Sequence, residues 1–290
     1  MSKKAQHKIN RDLTLPRVLM ENAALYGDSQ TAIREKAYGI WQKYTWADYA
    51  RYVRTTAAGF AALNLRRGEN VCMVVHNHPE WLFSELAAHT LGATTLNLFT
   101  SSIADELAFS IKRIYSPVVV VQDQEQVDKL LDVKEKLPQT QKVVYIDPTG
   151  MTSYADDSWL ISYADLLKLG EKYIEEHPGF IEAEISKGRP DDAAVMIQTS
   201  GTTGVPKLAM LSHRNLLTMA GQWVEETKIE PGENWLSMSP PAWIVDQMWG
   251  MGVALDGAMC MNFPETAETV LEDFREIGPS MIITSSRFWE

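Results

Sequence analysis

Within nine residues, Thr199-Ser200-Gly201-Thr202-Thr203-Gly204-Val205-Pro206-Lys207, the chain carries four hydroxyls, two glycines and one lysine. Glycines let a backbone turn until its N–H groups converge, hydroxyls donate to phosphate oxygens, and an ammonium adds a point charge. That is the composition of an anion cradle, and each part suits a triphosphate. It is not a Walker A loop, which needs GxxxxGK followed by Ser or Thr; here two residues separate Gly204 from Lys207, and Leu208 follows. An ordinary Gly/Ser/Thr connection between a strand and a helix would share this composition. What surrounds the loop must decide between the two.

The residues before it alternate between two periodicities. Thr45 followed by Asp48 reads as a capping box, and Tyr49, Val53, Phe60 and Leu63 then recur at helical spacing up to the stop at Arg66-Arg67-Gly68. Asn70 to Val75 reads as a buried strand, Pro79 opens a helix to about Leu91, Gly92 ends it, and Ala93 to Leu98 reads as another strand. The rhythm continues with a helix over 105–114, the strand Pro117 to Val121, a helix over 126–137 and the strand Lys142 to Ile146. Strands joined through helices predict an α/β fold with a parallel sheet. Residues 147–158 read as a surface excursion, and a helix is expected over 163–176. Asp191 to Gln198 reads as the strand that enters the loop. Helices near His213–Thr227 and Thr266–Ile277 then alternate with strands near Trp235–Ser239, Ala258–Phe263 and Ser280–Thr284.

With its context, the loop closely resembles the phosphate-binding signature of the adenylate-forming (AMP-binding) superfamily, and Met210-Leu211-Ser212-His213-Arg214-Asn215 is similar to the usual continuation into a helix. Tyr44 to Tyr49 resembles an early family motif, and Leu91-Gly92-Ala93 through Asn97-Leu98 with Ala104 to Leu107 resembles a second. Gln198 stands where a large aromatic is common, and Leu208 replaces a frequent glycine. Pro240 to Gln247 is similar to the segment beside the carboxylate substrate, with Trp243 where histidine is usual. Trp243 and Gln247 are therefore candidate pocket residues; Trp243 is either the wall of an acyl channel or a core tryptophan on a helix. Arg287-Phe288-Trp289-Glu290 resembles a stretch of long-chain acyl-CoA synthetases.

The resemblance implies the N-terminal part of the layered, parallel-sheet adenylate-forming fold. A first α/β subdomain would run over about 60–212, and part of a second over about 15–59 plus 213–290. It implies attack of a carboxylate on the α-phosphorus of ATP, loss of pyrophosphate, and transfer of the acyl group to coenzyme A. Ser200, Thr202, Thr203 and Lys207 would hold the phosphates on turns made by Gly201 and Gly204. Thr199 would contact Mg²⁺, and Lys207 would be the catalytic cation. The substrate expected from Trp243, Met248, Trp249 and the closing motif is a medium- or long-chain fatty acid. The family's motifs for adenine, ribose and the C-terminal lid do not occur before Glu290, so the chain reads as a fragment, inactive in acyl-CoA synthesis by itself. A non-catalytic nucleotide-binding scaffold and an amino-acid or aryl-acid adenylating enzyme are the alternatives.

The bulk properties agree with this reading. The 290 residues suffice for one large or two medium units, and 45% hydrophobic with 22% charged residues is ordinary globular usage. A formal charge of −11 repels a nucleic-acid backbone, though not a small phosphorylated ligand bound by local amides. Cys72 and Cys260, far apart and without CxxC spacing, fit a reducing, cytoplasmic compartment and no catalytic role. No run of eighteen apolar residues predicts a membrane span, which leaves only peripheral membrane contact open. His76 and His78 with Glu80 suggest a metal, but no further ligand pair at suitable spacing supports it, and they read as a turn between strand and helix. Glu225-Glu226 with Lys228 reads as a solvated helix end.

Overall fold

The computed structural model describes residues 10–199 and 206–283. Helix α1 (Leu15–Tyr26), strands β1 (Thr31–Ala37) and β2 (Ile40–Thr45), and α2 (Trp46–Ala62) come first. An alternation follows: β3 (Asn70–Val74), α3 (Pro79–Thr90), β4 (Thr94–Asn97), α4 (Ala104–Arg113), β5 (Val118–Val121), α5 (Gln124–Asp132) and β6 (Lys142–Tyr145). Next are β7 (Leu160–Ser162), α6 (Tyr163–Glu176), α7 (Phe180–Lys187), β8 (Ala193–Thr199), β9 (Lys207–Ser212) and α8 (His213–Thr227). Then come β10 (Asn234–Leu236), a π-helix (Asp246–Val253) running into α9 (Ala254–Asp256), β11 (Cys260–Phe263) and α10 (Val270–Ile277).

Seven strands form one sheet in the order β7-β6-β5-β3-β4-β8-β9, parallel throughout except for the antiparallel β8/β9 pair. Its central strands are apolar on both faces, as a sheet covered on both sides requires. Val71, Met73, Val118 and Val120 join the core with α2, α3 and α6, whereas Cys72, Val74, Val119 and Val121 join a second core with α4 and α5. The α/β layering expected from the sequence is therefore present. Four further strands form a second sheet, β10-β11-β1-β2, in which β1 lies parallel to β11 and antiparallel to β2.

Helix α2 starts at the expected capping box, with Thr45 and Asp48 each satisfying the other's backbone N–H. It packs against α6 at backbone contact: a Cβ added to Gly170 would lie 2.0 Å from the Thr55 carbonyl oxygen, and one added to Gly59 would lie 2.6 Å from that of Leu166. Glycine is required here by distance, not by backbone angle.

The structure corrects several expectations. The residues after the loop do not pass directly into a helix, because 207–212 form the antiparallel edge strand β9 before α8 begins. α1, β1, β2, β7, α7 and the π-helix were not anticipated. No residue of β2 or β9 is buried, so neither shows the run of buried positions that marks the central strands. The strand expected over 280–284 is an isolated bridge between Trp235 and Met281. Residues 284–290, and with them the Arg287 to Glu290 motif, lie outside the described residues. No helix among the described residues is long and apolar enough to cross a membrane.

Candidate active site

Because β3, β4, β5, β6 and β8 are parallel, the connections leaving their C-terminal ends share one edge of the sheet. That edge carries His76 to His78 after β3, Leu98 to Ser101 after β4, Gln122 and Asp123 after β5, Asp147 after β6 and Thr199 at the end of β8. In open α/β sheets ligands bind outside these carboxyl ends.

Thr199 and Lys207 are direct cross-strand partners at the end of the β8/β9 ladder, and Thr199 Oγ1 donates to the Lys207 carbonyl at 3.4 Å. Both residues are exposed. Ser200, Gly201, Thr202, Thr203 and Gly204 lie outside the described residues. The described flanks are held by α4: the Arg113 guanidinium donates to the Pro206 carbonyl, and Gln198 Nε2 donates to Ser110 Oγ at 2.9 Å. Gln198, which departs from the usual aromatic, thus ties β8 to α4. Thr199 offers one neutral oxygen, which fits Mg²⁺ only as a minor ligand to an ion held mainly by phosphate oxygens and water.

A cleft of about 160 Å³ opens on the same edge between Asn77, Phe99, Thr100, Pro240 and Pro241. Beneath it lies a buried polar seam. Asn77 Nδ2 is 2.7 Å from each of Ser237 Oγ, the Ser239 carbonyl and Asp246 Oδ2. Ser237 Oγ donates to Asp246 Oδ2 at 2.7 Å and Trp235 Nε1 to Asp246 Oδ1 at 3.2 Å. Burial pushes Asp246 up to about 7, opposed by the Ser237, Trp235 and Asn77 donors.

Gln247, next in the π-helix, donates through Nε2 to Glu85 Oε2 at 3.1 Å and to the Pro241 carbonyl at 3.0 Å. Glu85 also accepts from Thr95 Oγ1 at 2.6 Å, from Asn97 Nδ2 and from Trp81 Nε1. Burial raises the Glu85 carboxyl, and these donors work against it. Two consecutive residues of one sheet's connection therefore grip the other sheet's half, Asp246 through Asn77 and Gln247 through Glu85. π-helical turns occur often at functional sites, and this one displays both side chains inward.

Of the candidate pocket pair, Gln247 is fully buried, while Trp243 is 46% exposed in the bend before the π-helix. Trp243 is thus not a core residue on a helix. Asn77, Glu85 and Asp246 were not singled out from sequence. Their signal is a polar residue within an apolar stretch: Glu85 within Trp81 to Ala88, and Asp246 between Val245 and Gln247-Met248-Trp249. Both cysteines are buried, and burial pushes the Cys260 thiol up to about 11, as suits inert side chains.

Residues 19–290 match the AMP-binding enzyme family, and the chain belongs to it. It is 27% identical over 288 residues to a long-chain-fatty-acid–CoA ligase of Mus musculus, covering 97% of this chain and 39% of that protein. To the long-chain-fatty-acid–CoA ligase heimdall of Drosophila melanogaster it is 26% identical over 286 residues, covering 96% of this chain and 42% of that one. The chain therefore spans about two fifths of the length of these relatives. Among solved structures, the anthranilate CoA ligase AuaEII in complex with anthranoyl-AMP superposes with a TM-score of 0.77 at 18% identity, covering 93% of this chain and 49% of that one. ATP-bound MatB from Rhodopseudomonas palustris gives 0.68 at 21% identity, covering 91% and 48%. These likenesses are of fold.

Proposed function

We propose that these residues form the N-terminal part of an ATP-dependent acyl-CoA ligase that activates a medium- or long-chain fatty acid. The observation that carries the reading is the pairing of Thr199 with Lys207 at the carboxyl edge of the sheet, which brackets the hydroxyl- and glycine-rich segment where a phosphate chain would bind. The fatty-acid ligases among the relatives support the substrate class.

In the proposed reaction a carboxylate oxygen of the acid attacks the α-phosphorus of ATP, and the bond to the β-phosphate bridging oxygen breaks to release pyrophosphate. The sulfur of coenzyme A then attacks the acyl carbon and AMP leaves. No protein nucleophile is needed; the protein positions the reactants and neutralises charge. Lys207 and the loop hydroxyls hold the β- and γ-phosphates so that the leaving group lies in line. Mg²⁺, when bound, neutralises phosphate charge. The seam of Asn77, Asp246, Gln247 and Glu85 fixes the segment 237–247 against the sheet edge, so that the acid enters beside Trp243 and Pro241.

The test is acid-dependent pyrophosphate exchange and acyl-CoA formation by the full-length enzyme across acids from acetate to palmitate, beside benzoate and amino acids. Catalytic efficiency should rise with chain length, since each buried methylene contributes about 0.8 kcal/mol. A best substrate among acetate, benzoate or an amino acid would refute the fatty-acid assignment, and no exchange with any acid would refute adenylation.

A further inference from the structure

The turn after β3 does more than connect it to α3. His78 is the extended N-cap of α3, Pro79 fixes the next position, and Glu80 lies in the first turn. Glu35, forty-three residues upstream on β1 of the other sheet, faces them: its Oε1 lies 2.8 Å from His78 Nδ1. One ligand atom from each of Glu35, His78 and Glu80 lies within 4.8 Å of the others. The second ligand element that the sequence spacing around His76 and His78 does not provide is supplied by the fold.

We propose that Glu35, His78 and Glu80 form a binding site for a borderline divalent metal ion, Zn²⁺ or Mn²⁺, at the junction of the two sheets. Three observations carry it. The first is geometric. Ligands about 2.0–2.1 Å from a tetrahedral centre are about 3.4 Å apart, so the observed spacing needs only side-chain adjustment. The three residues also come from rigid elements, a strand and a proline-initiated helix start.

The second observation is charge. Two carboxyl groups meet one imidazole, and among the described residues no lysine or arginine is ion-paired with either carboxyl group. A cation is what such a partly buried site lacks.

The third is position. In the order β4-β3-β5-β6 the chain first steps from β3 to β4, then returns across β3 to β5. The crevice between the carboxyl ends of β3 and β5 is the topological switch point, where ligands of such sheets bind. His78 follows β3, and the Tyr44 hydroxyl donates at 3.5 Å to Glu35 Oε2, the oxygen that His78 does not contact, where it can orient the carboxylate. Mixed imidazole and carboxylate donors suit Zn²⁺ or Mn²⁺ better than Mg²⁺. A bound ion would join β1 to the start of α3 and leave a coordination position for water.

The experiment is calorimetric titration of the nucleotide-free protein with ZnCl₂, MnCl₂ and MgCl₂, repeated on His78→Ala and Glu80→Gln, with circular dichroism to confirm the fold. Glu80→Gln keeps shape and is the variant that decides if His78→Ala fails to fold. One equivalent of Zn²⁺ or Mn²⁺ should bind the unaltered protein, with at least a tenfold loss of affinity in Glu80→Gln. Absence of stoichiometric binding, equal affinity in Glu80→Gln, or binding of Mg²⁺ alone would overturn the assignment. Because no nucleotide or acid is present, the result is independent of the adenylation reading.

Discussion

Gln247 Nε2 donates to Glu85 Oε2 at 3.1 Å, joining residues 162 apart in the chain, and both side chains are fully buried. Glu85 is a buried carboxyl group inside a helix-sheet interface, tolerable only because several donors converge on it. Gln247→Ala removes one of them and leaves a void. Stability should fall by about 1–3 kcal/mol, read as a lower urea midpoint, while an unchanged midpoint would show that the seam is redundant.

Lys207 is exposed, so truncating it should leave the fold intact. Under the proposed function, Lys207→Ala loses one charge-assisted contact to phosphate, about 1.5–3 kcal/mol, or roughly ten- to 150-fold in kcat/KM for ATP. Circular dichroism should not change. Unaltered efficiency for ATP would place the ammonium elsewhere.

Gly170→Ala sets two effects against each other. Alanine favours a helix over glycine by about 1 kcal/mol, but the new Cβ would fall 2.0 Å from the Thr55 carbonyl oxygen, a backbone atom that moves only with α2. Overpacking should win, for a net loss of about 1–3 kcal/mol. A denaturation midpoint equal to or above that of the unaltered protein would contradict the close approach of α2 and α6.

His213 is buried at the start of α8, where its Nδ1 accepts from the Leu15 N–H at 3.4 Å, and burial pushes it down to about 4. Between the ordinary imidazole value of 6.5 and about 4 the unfolded chain binds a proton that the folded chain does not. This group's share of stability is therefore intact above that window and lost as pH falls through it. The stability difference between the unaltered protein and His213→Gln should shrink by about 2 kcal/mol from pH 7 to pH 5. Urea titrations at the two pH values give the difference directly, and a constant value would mean that His213 titrates normally.

The local and the covalent were legible in the sequence. The Thr45/Asp48 capping box, the valine run of β5 and the Gly92 stop of α3 each depend on residues within one element, so periodicity and end signals suffice to find them. The same holds for the loop, whose glycines, hydroxyls and lysine are adjacent in the chain. Tertiary structure decided everything that rests on pairing at a distance. β9 becomes a strand because β8 offers a free edge, although none of its own residues is buried. Glu35 meets His78, and Asp246 meets Asn77, because two sheets dock along one edge. Burial then raises the proton affinity of Asp246, and burial belongs to the packed interface, which no window of sequence contains.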